Sequence, residues 1–167
     1  LIGDEPERVA NTRRRLLASL EAETWPVIRA HQVHGNHVAT IDRAGLEALA
    51  PCPSGLSSPH TDGLVTSEPG IMLNLAFADC VPILLYSQTP LIVGVLHAGW
   101  RGTAGAIATE GVRAMEALGA RRERIVGAIG PCIAQASYEV DDGFADRFAE
   151  EDPGNRRFFA PGTPGHW

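Results

Sequence analysis

Cys80 and His97 are the residues of this sequence whose placement first points to chemistry. Cys80 stands at the head of the apolar run Val81–Tyr86, and His97 follows the run Leu91–Leu96, with Thr89-Pro90 between the runs as a turn. Both runs have the length of buried strands. Paired antiparallel, the start of one strand lies beside the end of the other, so the thiol and the imidazole share one end of a sheet. Such a pair can share a proton or a metal ion. His34, beside the Gly35-Asn36 turn, offers a third donor. Two histidines and one cysteine can hold Zn2+ with an open position for water, and donors scattered at 34, 80 and 97 suit catalysis better than a zinc finger's paired spacing. Water bound there has a lowered pKa and becomes a nucleophile near neutral pH.

The same atoms support a metal-free reading. Cys80 would then be a thiolate nucleophile, His97 its base, and Asp79 or another carboxylate the orienting group. With a metal bound, Asp79 would instead support a ligating histidine. Taken singly, Cys80 also reads as a small core residue and Asp79 as a turn residue. His31, His37, His60 and His166 read as ordinary loop or strand-edge histidines, and Glu139 either lines a pocket or faces solvent. Multicopper oxidation needs a dense supply of imidazoles, and six histidines without a His-x-His pair, with Met72 and Met115 the only methionines, are too few. Beyond His97, Gly99, Gly102 and Gly105 bracket Trp100 and Arg101, and a helical pattern begins near Thr103. A glycine turn leading into a helix N-terminus presents unpaired N–H groups and a positive dipole end. Arg101 adds a forked cation suited to phosphate or carboxylate. The expected site is a metal or nucleophile beside an anion pocket.

The elements that must position these groups can be read in order. Asp4 is placed as an N-cap with Pro6 and Glu7 in the first turn, and Val9, Leu16, Leu17 and Leu20 form an apolar stripe on a helix ending near Glu23. Val27–Val33 and Val38–Ile41 read as a hairpin turned at Gly35-Asn36. Ala50 to Pro59 reads as a loop, with Cys52 among prolines, glycine and serines. Gly63–Thr66 and Ile71–Leu75 are short strands. Thr103–Leu118 reads as one helix, with Ile107, Val112, Met115 and Leu118 inward and Gly119 at C′. Ile125–Ile129 reads as a buried strand, Ala136–Val140 as a short strand, and Asp141–Glu150 as an acidic helix with Phe144 and Phe148 on one face. This loose alternation predicts an α/β or α+β fold with mixed sheets.

Composition bounds the rest. With 167 residues, 44% of them hydrophobic, the chain can bury one globular core. A net charge of −6 argues against a nucleic-acid partner, and the run Arg13–Arg15 reads as a solvated helix face. No apolar stretch has the length of a membrane span. Cys52, Cys80 and Cys132 form no even-numbered framework, which fits a reducing, cytoplasmic setting. The oligomeric state stays open.

Several stretches together resemble a known family. QVHGNHV at Gln32–Val38, ADCVPILL at Ala78–Leu85, VLHAGWRGT at Val95–Thr103, and AIGPCI with YEV between Ala128 and Val140 look like the laccase-domain family, also called multicopper polyphenol oxidases. GDEPERVANTRRRL near the start is similar to that family's first-helix region. The resemblance implies a four-layer α/β/β/α sandwich of mixed sheets, as in the cysteine-hydrolase-like fold. It also implies a zinc-dependent purine nucleoside phosphorylase with adenosine deaminase activity, acting on adenosine, inosine, guanosine and methylthioadenosine with inorganic phosphate. The family's His, Cys and His ligands map onto His34, Cys80 and His97, and its arginine maps onto Arg101, with Gly102 and Thr103 completing the phosphate turn. Copper is the alternative metal, since it binds such donors more tightly than zinc. A metal-free cysteine hydrolase and a copper-dependent laccase are the competing readings. The family's N-terminal arginine-glycine segment and its later Cys-Thr and FSYRR-like stretches have no counterpart here, so 1–167 is expected to be one domain, incomplete at both ends.

Overall fold

A computed structural model describes residues 5–52 and 55–162. The fold is α/β, built on two mixed sheets. Strands β1 (Val27–Ala30), β3 (Ala50–Cys52), β4 (Gly55–Ser58) and β6 (Met72–Asn74) form a four-stranded sheet in the order β3-β4-β1-β6. Strands β2 (Val38–Thr40), β5 (Gly63–Thr66), β7 (Val81–Gln88), β8 (Leu91–Ala98) and β9 (Val126–Ile129) form a five-stranded sheet in the order β2-β5-β8-β7-β9. Four helices are described: α1 (Pro6–Ser19), α2 (Trp100–Ala104), α3 (Ile107–Ala117) and α4 (Asp142–Glu151).

Alternation along β5 and β8 explains the layering. Leu64 and Val95 point toward the four-stranded sheet and meet Ile28, Ala30, Ile41 and Ile71. Val65, Ile92 and Leu96 point the other way, onto Ile107 and Met115 of α3. The five-stranded sheet is thus covered on both faces at its centre, where each fully buried aliphatic side chain contributes about 1.5–3 kcal/mol. Gly111 permits the close approach of α3, since a Cβ there would lie 2.6 Å from Leu96 Cδ1. Gly119, with φ +96°, ends the helical segment as the C′ glycine expected. Ile107 and Met115 are buried and Val112 and Leu118 half-buried, as the inward face requires.

β7 and β8 pair antiparallel over their whole length, as the two apolar runs predict. Other expectations are corrected. β1 and β2 are not a hairpin: β1 pairs parallel with β4 and β6, β2 pairs parallel with β5, and residues 31–37 cross from one sheet to the other. The segment expected as a loop holds β3 and β4, with Pro51 on the edge strand β3, where a missing N–H is tolerated. The single helix expected from Thr103 is two, because Ala106 adopts the left-handed φ of +57° between α2 and α3. Among the described residues β9 is an exposed edge strand that pairs only with β7, with Val126 64% and Ile129 75% exposed. Tyr138 follows a 3-10 turn, Gln135–Ser137, where a short strand is expected. α1 stops at Ser19 and none of its residues is buried, so its stripe of Leu16, Leu17 and Leu20 does not join either core. Asp4 and His166 lie outside the described residues.

The two-sided burial of the central strands makes a stability prediction. Leu96→Ala should lower the unfolding free energy in urea by about 2–5 kcal/mol, while Ile129→Ala should change it by less than about 0.5 kcal/mol. Equal effects at the two positions would contradict the assignment of β9 to the exposed edge.

Candidate metal centre

The β7–β8 register sets Val81 opposite Ala98 and Pro82 opposite His97, which brings Cys80 to the end of the sheet where His97 lies. His34 reaches the same point from the crossover between β1 and β2. One nitrogen of each imidazole and the Cys80 Sγ all lie within 4.8 Å of one another. The His34 and His97 rings meet edge to face, with centroids 4.9 Å apart. His97 is buried, Cys80 half-buried and His34 exposed. Gly99 leaves room for this approach: a Cβ there would sit 3.2 Å from His34 Cδ2 and 3.3 Å from Cys80 Sγ.

A residue that sequence reasoning did not single out organises the cluster. Asp62 is fully buried at the entrance to β5. Its Oδ2 accepts hydrogen bonds from the N–H groups of Val33 (3.1 Å) and Gly35 (2.8 Å), and its Oδ1 accepts from the N–H of His34 (3.0 Å). Three successive amides converging on one carboxylate form a nest, and they hold His34 at a left-handed φ of +60°. The same Oδ1 lies 2.8 Å from His97 Nδ1. Burial pushes the Asp62 carboxyl up, but the His97 hydrogen bond and the three amides outweigh it and hold the group below the ordinary aspartate range. Ionised, Asp62 can only accept, so His97 Nδ1 carries the proton and Nε2 presents its lone pair to the other donors. Backbone bonds lock the arrangement, with the His97 N–H donating to the Asp62 carbonyl at 2.7 Å and the Asp62 N–H to the His37 carbonyl at 3.0 Å. The available signal is an aspartate set directly before an apolar strand in Thr61-Asp62-Gly63-Leu64-Val65.

Asp79 does not take the orienting role. It is exposed, and its carbonyl accepts from the Ile133 N–H at 2.9 Å. Burial, then the charges of Asp79 and Asp62, push the Cys80 thiol up, so without a cation the sulfur stays protonated near neutral pH. His31 and His60 stack on each other at 5.6 Å, and His37 gives its carbonyl to Thr61 Oγ1 and Asp62 N–H; none of the three joins the cluster.

The turn after β8 lies against the His34 loop. Gly102 is buried, and a Cβ there would come within 2.6 Å of the Gly35 carbonyl oxygen. Asn36 Nδ2 donates to the Gly105 carbonyl at 2.6 Å. Arg101 is exposed, with its guanidinium 4.4 Å from the Trp100 ring centre. Thr103 spends its N–H on the Gly99 carbonyl at 2.8 Å, so it has its hydroxyl to offer a ligand. A cavity of about 580 Å3 opens here, and His34, Cys80, Asp79, Arg101 and Thr103 are among its lining residues. Trp100, Tyr138, Phe144, Phe148 and Phe159 line the same cavity. Gly102 and His97 lie off the cavity wall. Glu139 lines a neighbouring cavity.

Asp62→Asn keeps the size of the side chain and removes its charge. If the cluster holds a metal ion, this change should weaken its binding by about 10- to 100-fold in chelator competition. The pH dependence has a definite sign. Because folding depresses the Asp62 pKa, its contribution to stability is present above the unfolded value and is lost as the pH falls through the folded one. Wild-type urea stability should therefore fall more steeply in acid than that of D62N, and unchanged metal affinity in D62N would remove Asp62 from this role.

Comparison with known proteins shows the family and the shared fold. The family described as multi-copper polyphenol oxidoreductase laccase matches residues 1–167. A protein of Mycobacterium tuberculosis named purine nucleoside phosphorylase is 34% identical over 164 residues, covering 98% of this chain and 62% of the relative. Another so named, from Deinococcus radiodurans, is 39% identical over 145 residues, covering 87% of this chain and 53% of the relative. The crystal structure of YlmD from Geobacillus stearothermophilus superposes with a TM-score of 0.77 at 34% identity, covering 99% of this chain and 62% of that one. A Bacillus licheniformis protein, YfiH, superposes with a TM-score of 0.84 at 28% identity over the same shares. The chain thus spans between 53% and 62% of the length of these relatives. With its whole length matched and its fold shared, the chain belongs to the multi-copper polyphenol oxidoreductase laccase family.

Proposed function

We propose that this chain carries the metal centre and anion site of a purine nucleoside phosphorylase, acting in the cytoplasm on adenosine, inosine, guanosine or methylthioadenosine with phosphate, and deaminating adenosine as a second activity. The convergence of three donors within 4.8 Å carries the reading. Two imidazole nitrogens and one thiolate are a donor set that suits zinc and leaves a position open. Bound there, zinc would supply a Lewis acid and lower the pKa of a water ligand.

The chain's own residues divide the remaining work. His34, Cys80 and His97 would hold the ion, Cys80 as its thiolate. Asp62 keeps the His97 proton on Nδ1 and fixes the ring. Arg101 would bind phosphate through its fork, and Thr103, which lines the same cavity, would offer its hydroxyl. Gly102 serves by letting the turn approach Gly35.

The metal-free hydrolase reading has one observation in its favour, an acid–histidine pair beside a cysteine, with Asp62 rather than Asp79 as the acid. The upward shift of the Cys80 thiol weighs against it. A laccase needs several copper ions, and His34, Cys80 and His97 are the only such donor group among the described residues. Copper could occupy that group, without making it a multicopper centre.

Elemental analysis paired with chromatography of adenosine, with and without phosphate, tests the proposal. The expected result is about one zinc per chain, a full coordination site, with adenine formed only when phosphate is present and inosine formed in either case. His97→Ala should lose the metal, and Arg101→Ala should raise the phosphate KM about tenfold or more with the nucleoside KM little changed. Full metal content in H97A, or an unchanged phosphate KM in R101A, would count against the assignment.

A further inference from the structure

The cavity beside the metal donors adjoins a second one, of about 660 Å3, and Tyr138, Phe144 and Phe159 line both. These three rings come from separate segments. Tyr138 follows the 3-10 turn Gln135–Ser137, Phe144 lies in α4, and Phe159 follows the 3-10 helix Pro153–Phe158. The segments are tied together. Gln135 Nε2 donates to the Phe158 carbonyl at 2.7 Å, and Asp141 caps α4 by accepting the Phe144 N–H at 2.7 Å. Phe144 also packs on Trp100, with centroids 5.0 Å apart, which anchors the wall to the turn that carries Arg101.

Packing alone does not account for Tyr138. Its ring meets Phe144 at 6.3 Å, yet the residue is 42% exposed and its hydroxyl has no hydrogen-bond partner among the described residues. One cavity is therefore lined both by a group of aromatic rings and by two metal donors and a guanidinium. A ligand matching this lining has a flat aromatic body and a polar, anionic or metal-seeking end. We infer that Tyr138, packed against Phe144, is the stacking wall for the purine ring, with the ribose directed toward Cys80, His34 and Arg101. The inference rests on the phosphorylase reading and adds the residues that recognise the base. Stacking on an aromatic face is tolerant of base identity, because every purine has a π-face. Such a wall suits an enzyme that accepts several purine nucleosides.

Equilibrium dialysis of adenosine against the zinc-loaded chain, without phosphate, tests the wall with two variants. Tyr138→Leu should raise the adenosine Kd about tenfold, whereas Tyr138→Phe, which keeps the ring, should stay within about twofold of wild type. Zinc content and phosphate affinity should be unchanged in both. Wild-type affinity in Y138L, or equal weakening in the Leu and Phe variants, would overturn the stacking wall and leave the phosphorylase reading standing. Absence of adenosine binding by the wild-type chain would overturn both.

Discussion

A buried carboxylate is the constraint on which the site depends. Asp62 has no access to water, so its charge must be met entirely by the protein. Four donors meet it: three successive amides of the crossover loop and one imidazole N–H from β8. Those bonds have two consequences that no other contact supplies. They hold a non-glycine residue, His34, at positive φ, a conformation that costs about 1–3 kcal/mol unless its surroundings impose it. They also fix the tautomer of His97. One side chain thereby sets the orientation of two of the three candidate ligands.

The sheets make that carboxylate available. Gly63 pairs with Leu96 in the antiparallel β5–β8 ladder, so Asp62, one residue earlier, lies beside His97, one residue later. The parallel pairing of β2 with β5 then brings the end of the crossover loop over the same point. Close backbone approach completes the arrangement. Gly102 seats the α2 turn against the Gly35 carbonyl, and Asn36 reaches Gly105 at the break between α2 and α3. The loop that carries His34 and the turn that carries Arg101 are therefore parts of one packed unit, and a displacement of the crossover loop would disturb both.

Much of this is legible in the sequence because it follows from strand periodicity. The apolar runs around Thr89-Pro90 predict an antiparallel pair, and the pair dictates that Cys80 and His97 meet. The inward face of α3 is readable for the same reason. What periodicity does not carry is harder. Asp62 looks like a turn residue, and its partners lie 27 to 35 positions away. Gly35-Asn36 has the composition of a hairpin turn, but the local preference yields to parallel partners far along the chain. The apolar residues of β9 match a buried strand, and only the position of β9 at the sheet edge reveals that they are exposed. Prolines conceal β3 and β4, since a proline is compatible with an edge strand as well as with a loop.

The family's description invokes several coppers, whereas the donors assembled here suit one ion bound by nitrogen and sulfur. X-ray absorption at the metal edge of the purified chain tests that account most directly. A single metal with one sulfur at about 2.3 Å and two nitrogens at about 2.0–2.1 Å is the predicted shell. A shell of nitrogen and oxygen alone, without sulfur, would contradict the placement of Cys80 and with it the three-donor centre.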